Sequence, residues 1–294
     1  MYLSRFYLPE DEHELYWQHF LETRYTGNDY PFNLFPQKDL HELRFGAITV
    51  LYGSNGSGKS TLLNLITEKL GMKRTAPFNK SELFDLYVEN CAAVMGNDED
   101  GEPYRLPNGS RIITSDDIFD YMLSARTDNE AHAEAKEEVK NEWASIRYGN
   151  TVHYHGPEDY DALRIQNLAR RKSLKRTGFV NRIVGKEMRL YSNGETALKF
   201  FRTELKDERL YCLDEPENSL SPKMQIELAG MLEELARFCG CQLIVATHSP
   251  FLLAMNGARV YDLDGCPAKE KNWWELENPK VYYEFFKKHA SKFE

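Results

Sequence analysis

Short apolar runs, each closed by a glycine or an acidic residue, alternate along the chain with stretches whose apolar positions recur at helical spacing. Ala47-Ile48-Thr49-Val50-Leu51-Tyr52 predicts a buried strand that stops at Gly53. Lys59 to Leu70, with Leu62, Leu63, Leu65 and Ile66, predicts the helix after it. Leu210-Tyr211-Cys212-Leu213 and Leu243-Ile244-Val245-Ala246 predict two more buried strands, separated by a helix over about 222–238. A further strand is expected over Ala258–Leu263, and an aromatic-rich helix around 279–293. Residues 83–114 read as short strands broken by turns, and residues 116–146 as a charged helix. Uninterrupted apolar strands alternating with helices indicate an α/β fold with a mostly parallel sheet covered on both faces.

Composition narrows the functional classes. With 41% hydrophobic and 13% aromatic residues, the chain is suited to a buried core, and wholesale disorder is excluded. The formal charge of -9 argues against a surface uniformly basic enough to coat nucleic acid or anionic lipid. Residues 164–189 depart from that balance, with nine Lys/Arg against one Glu. Three readings stay open for them: a solvated helical face, a track for nucleic-acid phosphates, or a docking face for an acidic protein. No apolar stretch approaches the roughly 18–20 residues of a membrane helix, and charges at Glu10, Asp11 and Glu12 interrupt any leader-like core. A cytoplasmic protein without direct membrane insertion is expected. Cys91, Cys212, Cys239, Cys241 and Cys266 are odd in number and irregularly spaced, so reduced thiols are expected rather than a disulfide framework or metal site. His153 and His155 alternate, but no third ligand is near them in sequence.

Four motifs carry candidate chemistry. Gly53-Ser54-Asn55-Gly56-Ser57-Gly58-Lys59-Ser60 fits G-x-x-x-x-G-K-[ST] and lies between a predicted strand and a predicted helix. Its glycines let the backbone curl so that N–H groups face phosphates, and the following helix directs its positive end at the same charge. Lys59 is then placed for the β- and γ-phosphates and Ser60 for magnesium. Asp214 and Glu215 end the strand Leu210–Leu213, where ligands collect in α/β sheets. Asp214 is a candidate magnesium ligand, and Glu215 a candidate base for an attacking water. His248 ends the strand Leu243–Ala246, 34 positions after Asp214, and is a candidate γ-phosphate contact. Ser192-Asn193-Gly194-Glu195 places small residues before a predicted helix, a second anion-binding arrangement.

In this order the four motifs resemble the ATP-binding cassette (ABC) ATPases. Gly53–Thr61 resembles the Walker A loop, Asp214-Glu215 the Walker B pair, Ser192–Glu195 a variant signature, Glu217-Asn218-Ser219-Leu220-Ser221 the D-loop, and His248 the switch histidine. More narrowly, the chain resembles small soluble AAA-type ATPases of the RecF/SMC-like and OLD-like branch, through Glu215–Pro222, Ala246–Pro250 and the lead-in Phe32–Phe45. The resemblance spans about 30–290. It implies a P-loop NTPase: an ABC-type nucleotide-binding domain with a mostly parallel sheet, an antiparallel β part and a helical subdomain. One domain over 1–294 is expected, with a RecA-like/β lobe at 1–115 and 205–266, a helical lobe at 116–204 and a C-terminal aromatic helix at 267–294.

The resemblance also implies magnesium-dependent ATP hydrolysis by a head-to-tail homodimer. Ser54 to Thr61 would bind nucleotide, and Ser192, Asn193, Gly194 and Glu195 would act on the partner's ATP. Glu215, His248 and Lys59 would be catalytic, and Ser60 and Asp214 would hold Mg2+. A switch in a nucleic-acid-associated or defence process, with a nucleic-acid or effector partner, is the expected role; the alternative is the ATPase subunit of a membrane transporter. No glutamine follows the strand Arg111–Thr114, and Asp116 or Asp117 stands in the Q-loop place.

Overall fold

The computed structural model describes residues 1–10, 17, 30–98, 100–150, 152, 157–171, 175–183 and 193–293. Among these, strands β1 (Leu3–Tyr7), β2 (Glu42–Arg44) and β4 (Ala92–Met95) form an antiparallel sheet in the order β2-β1-β4. The second sheet has the order β5-β6-β7-β3-β8-β9, from β3 (Ile48–Tyr52), β5 (Arg111–Thr114), β6 (Leu210–Asp214), β7 (Gln242–Ala246), β8 (Ala258–Asp262) and β9 (Lys269–Glu270). All its pairings are parallel except that of β8 with β9. Every residue of β3 and β7 is buried, which is why these strands read as unbroken apolar runs rather than alternating ones. Their carboxyl ends therefore lie side by side and bring Gly53, Glu215 and Thr247 to one edge of the sheet.

Helix α1 (Lys59–Leu70) buries Leu62, Leu63, Leu65 and Ile66, and stops at Gly71, whose left-handed φ of 61° lets its N–H close on Glu68 O. One buried side chain joins the two sheets. Gln242, 1% exposed, accepts from Leu3 N at 2.8 Å and donates to Leu3 O at 2.7 Å and Gly46 O at 3.1 Å. A glutamine there satisfies backbone groups of Leu3 and Gly46 that an apolar residue would leave bare.

Residues 83–114 depart from the expectation of strands and turns alone. Helix α2 (Phe84–Asn90) occupies the start of that stretch, and only β4 and β5 are strands. Phe84 and Tyr87, three residues apart, are both fully buried and pack on an aromatic cluster of Tyr30, Phe32 and Phe78. The i, i+3 aromatic pair, sealed by that distant segment, selects a helix over local β-propensity.

The chain divides into two compact units, 1–119 with 193–294, and 120–192. The second is built from helix α3 (Ser115–Tyr148, from residue 120 onward), α4 (Tyr160–Arg170) and α5 (Arg176–Ile183), around Ala169, Phe179 and Val180. Its buried Gln166 bridges Asn150 O and Val152 N. Helix α6 (Asn193–Glu204), expected in the helical lobe, instead groups with the first unit. There a Cβ on Gly194 would collide with the Met224 sulfur of helix α7 (Pro222–Phe238). The C-terminal segment also belongs to that unit, and α9 (Glu277–Lys288), after the short α8 (Pro250–Leu253), leaves Val281, Tyr282, Tyr283, Phe285 and Phe286 exposed. These side chains give the tail an exposed apolar face.

Candidate nucleotide site

The loop after β3 curls as its glycines require. Gly56 and Gly58 have φ of 80° and 96°, backbone that side-chain-bearing residues rarely adopt. A Cβ on Gly53 would collide with Ser57, and one on Gly58 would press on Leu34 and Phe35 of the lead-in segment. Gly58 then caps α1, so the first amides of the helix open onto the loop. Lys59, 4% exposed, folds back over the loop and donates to Gly53 O at 2.8 Å and Ser54 O at 3.1 Å. Burial pushes its ammonium below the ordinary lysine range, against the opposing pull of Glu215, Asp214, Asp264 and Glu217. An ammonium this enclosed has much to gain from a polyanion.

At the end of β6, Asp214 accepts a hydrogen bond from Ser60 Oγ at 3.0 Å. Burial raises its carboxyl to about 6, with the Ser60 hydroxyl pulling the other way. A hydroxyl and a carboxylate side by side are the hard oxygen donors that magnesium takes, with water and phosphate completing its shell. Among the described residues no group of three His, Cys, Asp or Glu forms a closed metal cage. Such an open pair suits a cation delivered with a phosphate ligand. A cavity of about 440 Å³ adjoins Ser60 and Asp214 and reaches Tyr30, Asn64, Arg74 and Asp116.

Glu215 follows with a left-handed φ of 48°, held by its own amide, which donates to Ala246 O at 2.9 Å. A non-glycine residue in that region stores strain. Glu215 Oε1 lies 3.2 Å from His248 Nε2, and Asn218 Nδ2 donates to Oε2 at 3.1 Å. The sheet order thus joins residues 53–61, 214–215 and 248, which lie far apart in sequence.

The other expected residues fall differently. Asn193, Gly194 and Glu195 open α6, and Ser192 lies outside the described residues, as do His153 and His155. Asp117 is buried and folds back on its own strand end, where its Oδ2 accepts from Thr114 N at 2.8 Å and Thr114 Oγ1 at 3.0 Å. Of the two candidates for the Q-loop place, Asp116 is the one that lines the cavity beside Ser60 and Asp214. All five cysteines are free thiols.

Two residues near the loop escaped the sequence reading. Asp264 takes the Ser54 amide on both carboxylate oxygens, at 2.9 and 2.7 Å, and the Ser54 hydroxyl at 2.8 Å. Tyr30 donates its hydroxyl to Thr61 Oγ1 at 2.8 Å. Asp264 stands two residues past the end of β8, as Glu215 stands one past the end of β6. Acidic residues after every predicted strand would have been the signal to follow.

A family model described as ABC transporter matches residues 40–218, well over half the chain. This chain belongs to the ABC ATPase superfamily. A second model, an AAA domain whose description includes Type IV TA system, matches residues 188–254. An uncharacterized ABC transporter ATP-binding protein/permease of Saccharomyces cerevisiae is 28% identical over 208 residues, 70% of this chain. The chain spans only 14% of that protein's length. Among solved structures, the SMC head domain from Thermotoga maritima is 15% identical over 94% of this chain and 100% of its own, at a TM-score of 0.40. A dimeric post-hydrolysis ATP-binding cassette bound to ADP and Pi is 16% identical over 79% of this ABC ATPase and 88% of its own chain, at 0.36. The fold is that of a P-loop NTPase, and the family to which the chain belongs hydrolyses ATP. Among the described residues no helix is long and apolar enough to cross a membrane.

Proposed function

We propose that the chain is a cytoplasmic, magnesium-dependent ATPase that closes as a head-to-tail homodimer on ATP and reopens after hydrolysis. The observation that carries this reading is the 3.2 Å approach of Glu215 to His248, beside the Ser60–Asp214 pair and the lysine-bearing loop. The amides of residues 54–61 would cradle the triphosphate, with Lys59 leaving its two carbonyl partners to pair with the β- and γ-phosphates. Ser60 and Asp214 would hold magnesium, which would neutralise charge developing on the phosphate oxygens. Glu215 would accept a proton from the water as its oxygen attacks the γ-phosphorus, while the bond to the ADP oxygen breaks. His248 would contact the γ-phosphate, so that loss of phosphate alters the Glu215–His248 pair. The residues Ser192 to Glu195 would seal the partner's nucleotide. Binding energy that depends on the γ-phosphate would then drive closure.

The work of that closure is proposed as a switch in a nucleic-acid-associated or defence process. A second reading, the ATPase subunit of a membrane transporter, is favoured by the description of the matching family model and by the yeast relative. Glu215→Gln tests the shared chemistry: it should abolish turnover and sediment as a dimer with ATP and magnesium. A variant that stays monomeric with bound ATP would overturn the sandwich. Co-purification of wild-type chain with an integral membrane protein would decide for the transporter reading; turnover stimulated by DNA would decide for the first.

A further inference from the structure

The unit of residues 120–192 holds a cavity of about 510 Å³ lined by none of the motif residues used above. Tyr160, Arg164, Asn167 and Arg171 line it from one side at i, i+4, i+7 and i+11, which is one face of α4 and its C-cap. Arg182 of α5 lines it too, with Leu168 among the apolar residues beneath. No carboxylate lines this cavity among the described residues. Nor does any hydrogen bond or ion pair among them engage the Arg164, Arg171 or Arg182 guanidinium. The neighbouring Arg170 and Arg176 differ: they spend their guanidiniums on backbone carbonyls, Arg170 on Arg147 O and Gly149 O, and Arg176 on Lys140 O.

Three guanidiniums around one hollow repel one another unless an anion sits between them. Their planar forks match phosphate oxygens, and the Asn167 amide and Tyr160 hydroxyl add neutral donors. Arg164 and Arg171 lie roughly 10 Å apart along the helix, a spacing that lets a ligand with more than one phosphate engage both. We infer that this cavity binds the phosphates of a polyphosphate-bearing ligand, either the backbone of a nucleic acid or a free oligophosphate. The concave shape and the absence of lysine from its lining favour phosphate over the broad acidic face of a protein. The inference rests on this unit alone and stands or falls separately from the ATP-gated dimer.

The test uses the full chain carrying Lys59→Ala, in EDTA and without ATP, so that the glycine loop does not contribute. Fluorescence anisotropy with single-stranded and duplex oligonucleotides, and calorimetry with tripolyphosphate, are run across a salt series. The expected result is binding that weakens with salt. It should fall roughly tenfold or more when Arg164, Arg171 and Arg182 all become Ala, with the salt slope reduced by about one per lost contact. Replacement of all three by Lys should keep the salt slope but recover only part of the affinity, because the charge stays and the planar fork is lost. Oligonucleotide binding assigns the site to a nucleic-acid backbone, and tripolyphosphate binding alone assigns it to small phosphate compounds. Failure of every probe to bind, or equal binding by the folded triple alanine variant, overturns the inference. Should circular dichroism show the triple variant unfolded, Arg171→Glu, beyond the last helical turn, makes the same comparison.

Discussion

Glu217 holds the His248 backbone amide at 2.7 Å, and the same carboxylate oxygen accepts from Thr247 Oγ1 at 2.6 Å and Ser249 N at 3.1 Å. Glu217 is 8% exposed and sits two residues after Glu215, so one buried carboxylate ties the segment after β6 to the segment after β7. Movement of either loop is therefore transmitted to the other through charged hydrogen bonds in a poorly hydrated place.

Glu217→Ala is expected to lower ATP turnover by about 10- to 100-fold, through misplacement of His248 relative to Glu215, while the KM for ATP changes little. Loss of the acceptor for buried donors should also cost about 1–3 kcal/mol of stability. Glu217→Gln keeps an accepting oxygen and should recover much of the turnover. Steady-state kinetics beside urea unfolding separates the two effects; a KM rise with unchanged kcat would contradict the positioning role.

Asp214 gives a stability signature without nucleotide. Its carboxyl titrates near 6 in the folded chain because of burial, against an ordinary value of 3.8. The folded state therefore holds its proton more tightly, and the ionised carboxylate opposes folding increasingly as pH rises from about 4 to about 6. Asp214→Asn should be more stable than wild type at pH 8, by up to about 3 kcal/mol, and the difference should vanish toward pH 4. Denaturant unfolding in EDTA at both pH values measures it. An equal difference at pH 8 and pH 4 would show that burial of the charge is not its source.

Asp264 braces Ser54 but also puts a negative charge at the mouth of the loop. Asp264→Asn keeps an acceptor for Ser54 and removes the charge, so ATP affinity should rise about two- to fivefold at low salt, and the gain should fade as salt is added. Asp264→Ala also removes the brace and should bind ATP more weakly than the Asn variant. Equilibrium binding of a fluorescent ATP analogue to the three chains makes the comparison; identical affinities would leave Asp264 without influence on the loop.

The expected helix from Lys59 to Leu70 matches α1 end to end, and the strands before Gly53, Glu215 and Thr247 lie within a residue or two of expectation. These elements are coded locally, by unbroken apolar runs and by the glycines whose positive φ shapes the phosphate loop. The helix Phe84–Asn90 was illegible because Phe84 and Tyr87 take their partners from residues 30–32 and 78.

By itself, the order of residues determined that a glycine loop, an acidic strand end and a histidine strand end belong to an α/β ATPase, because period, turn chemistry and motif spacing are properties of adjacent residues. Only tertiary structure decided that Glu217 grips His248, that Asp264 grips Ser54, and that Arg164, Arg171 and Arg182 surround one hollow. Each of those relationships depends on which strand or helix lies beside which. That choice is made by burial over the whole core, and no local stretch of sequence carries it.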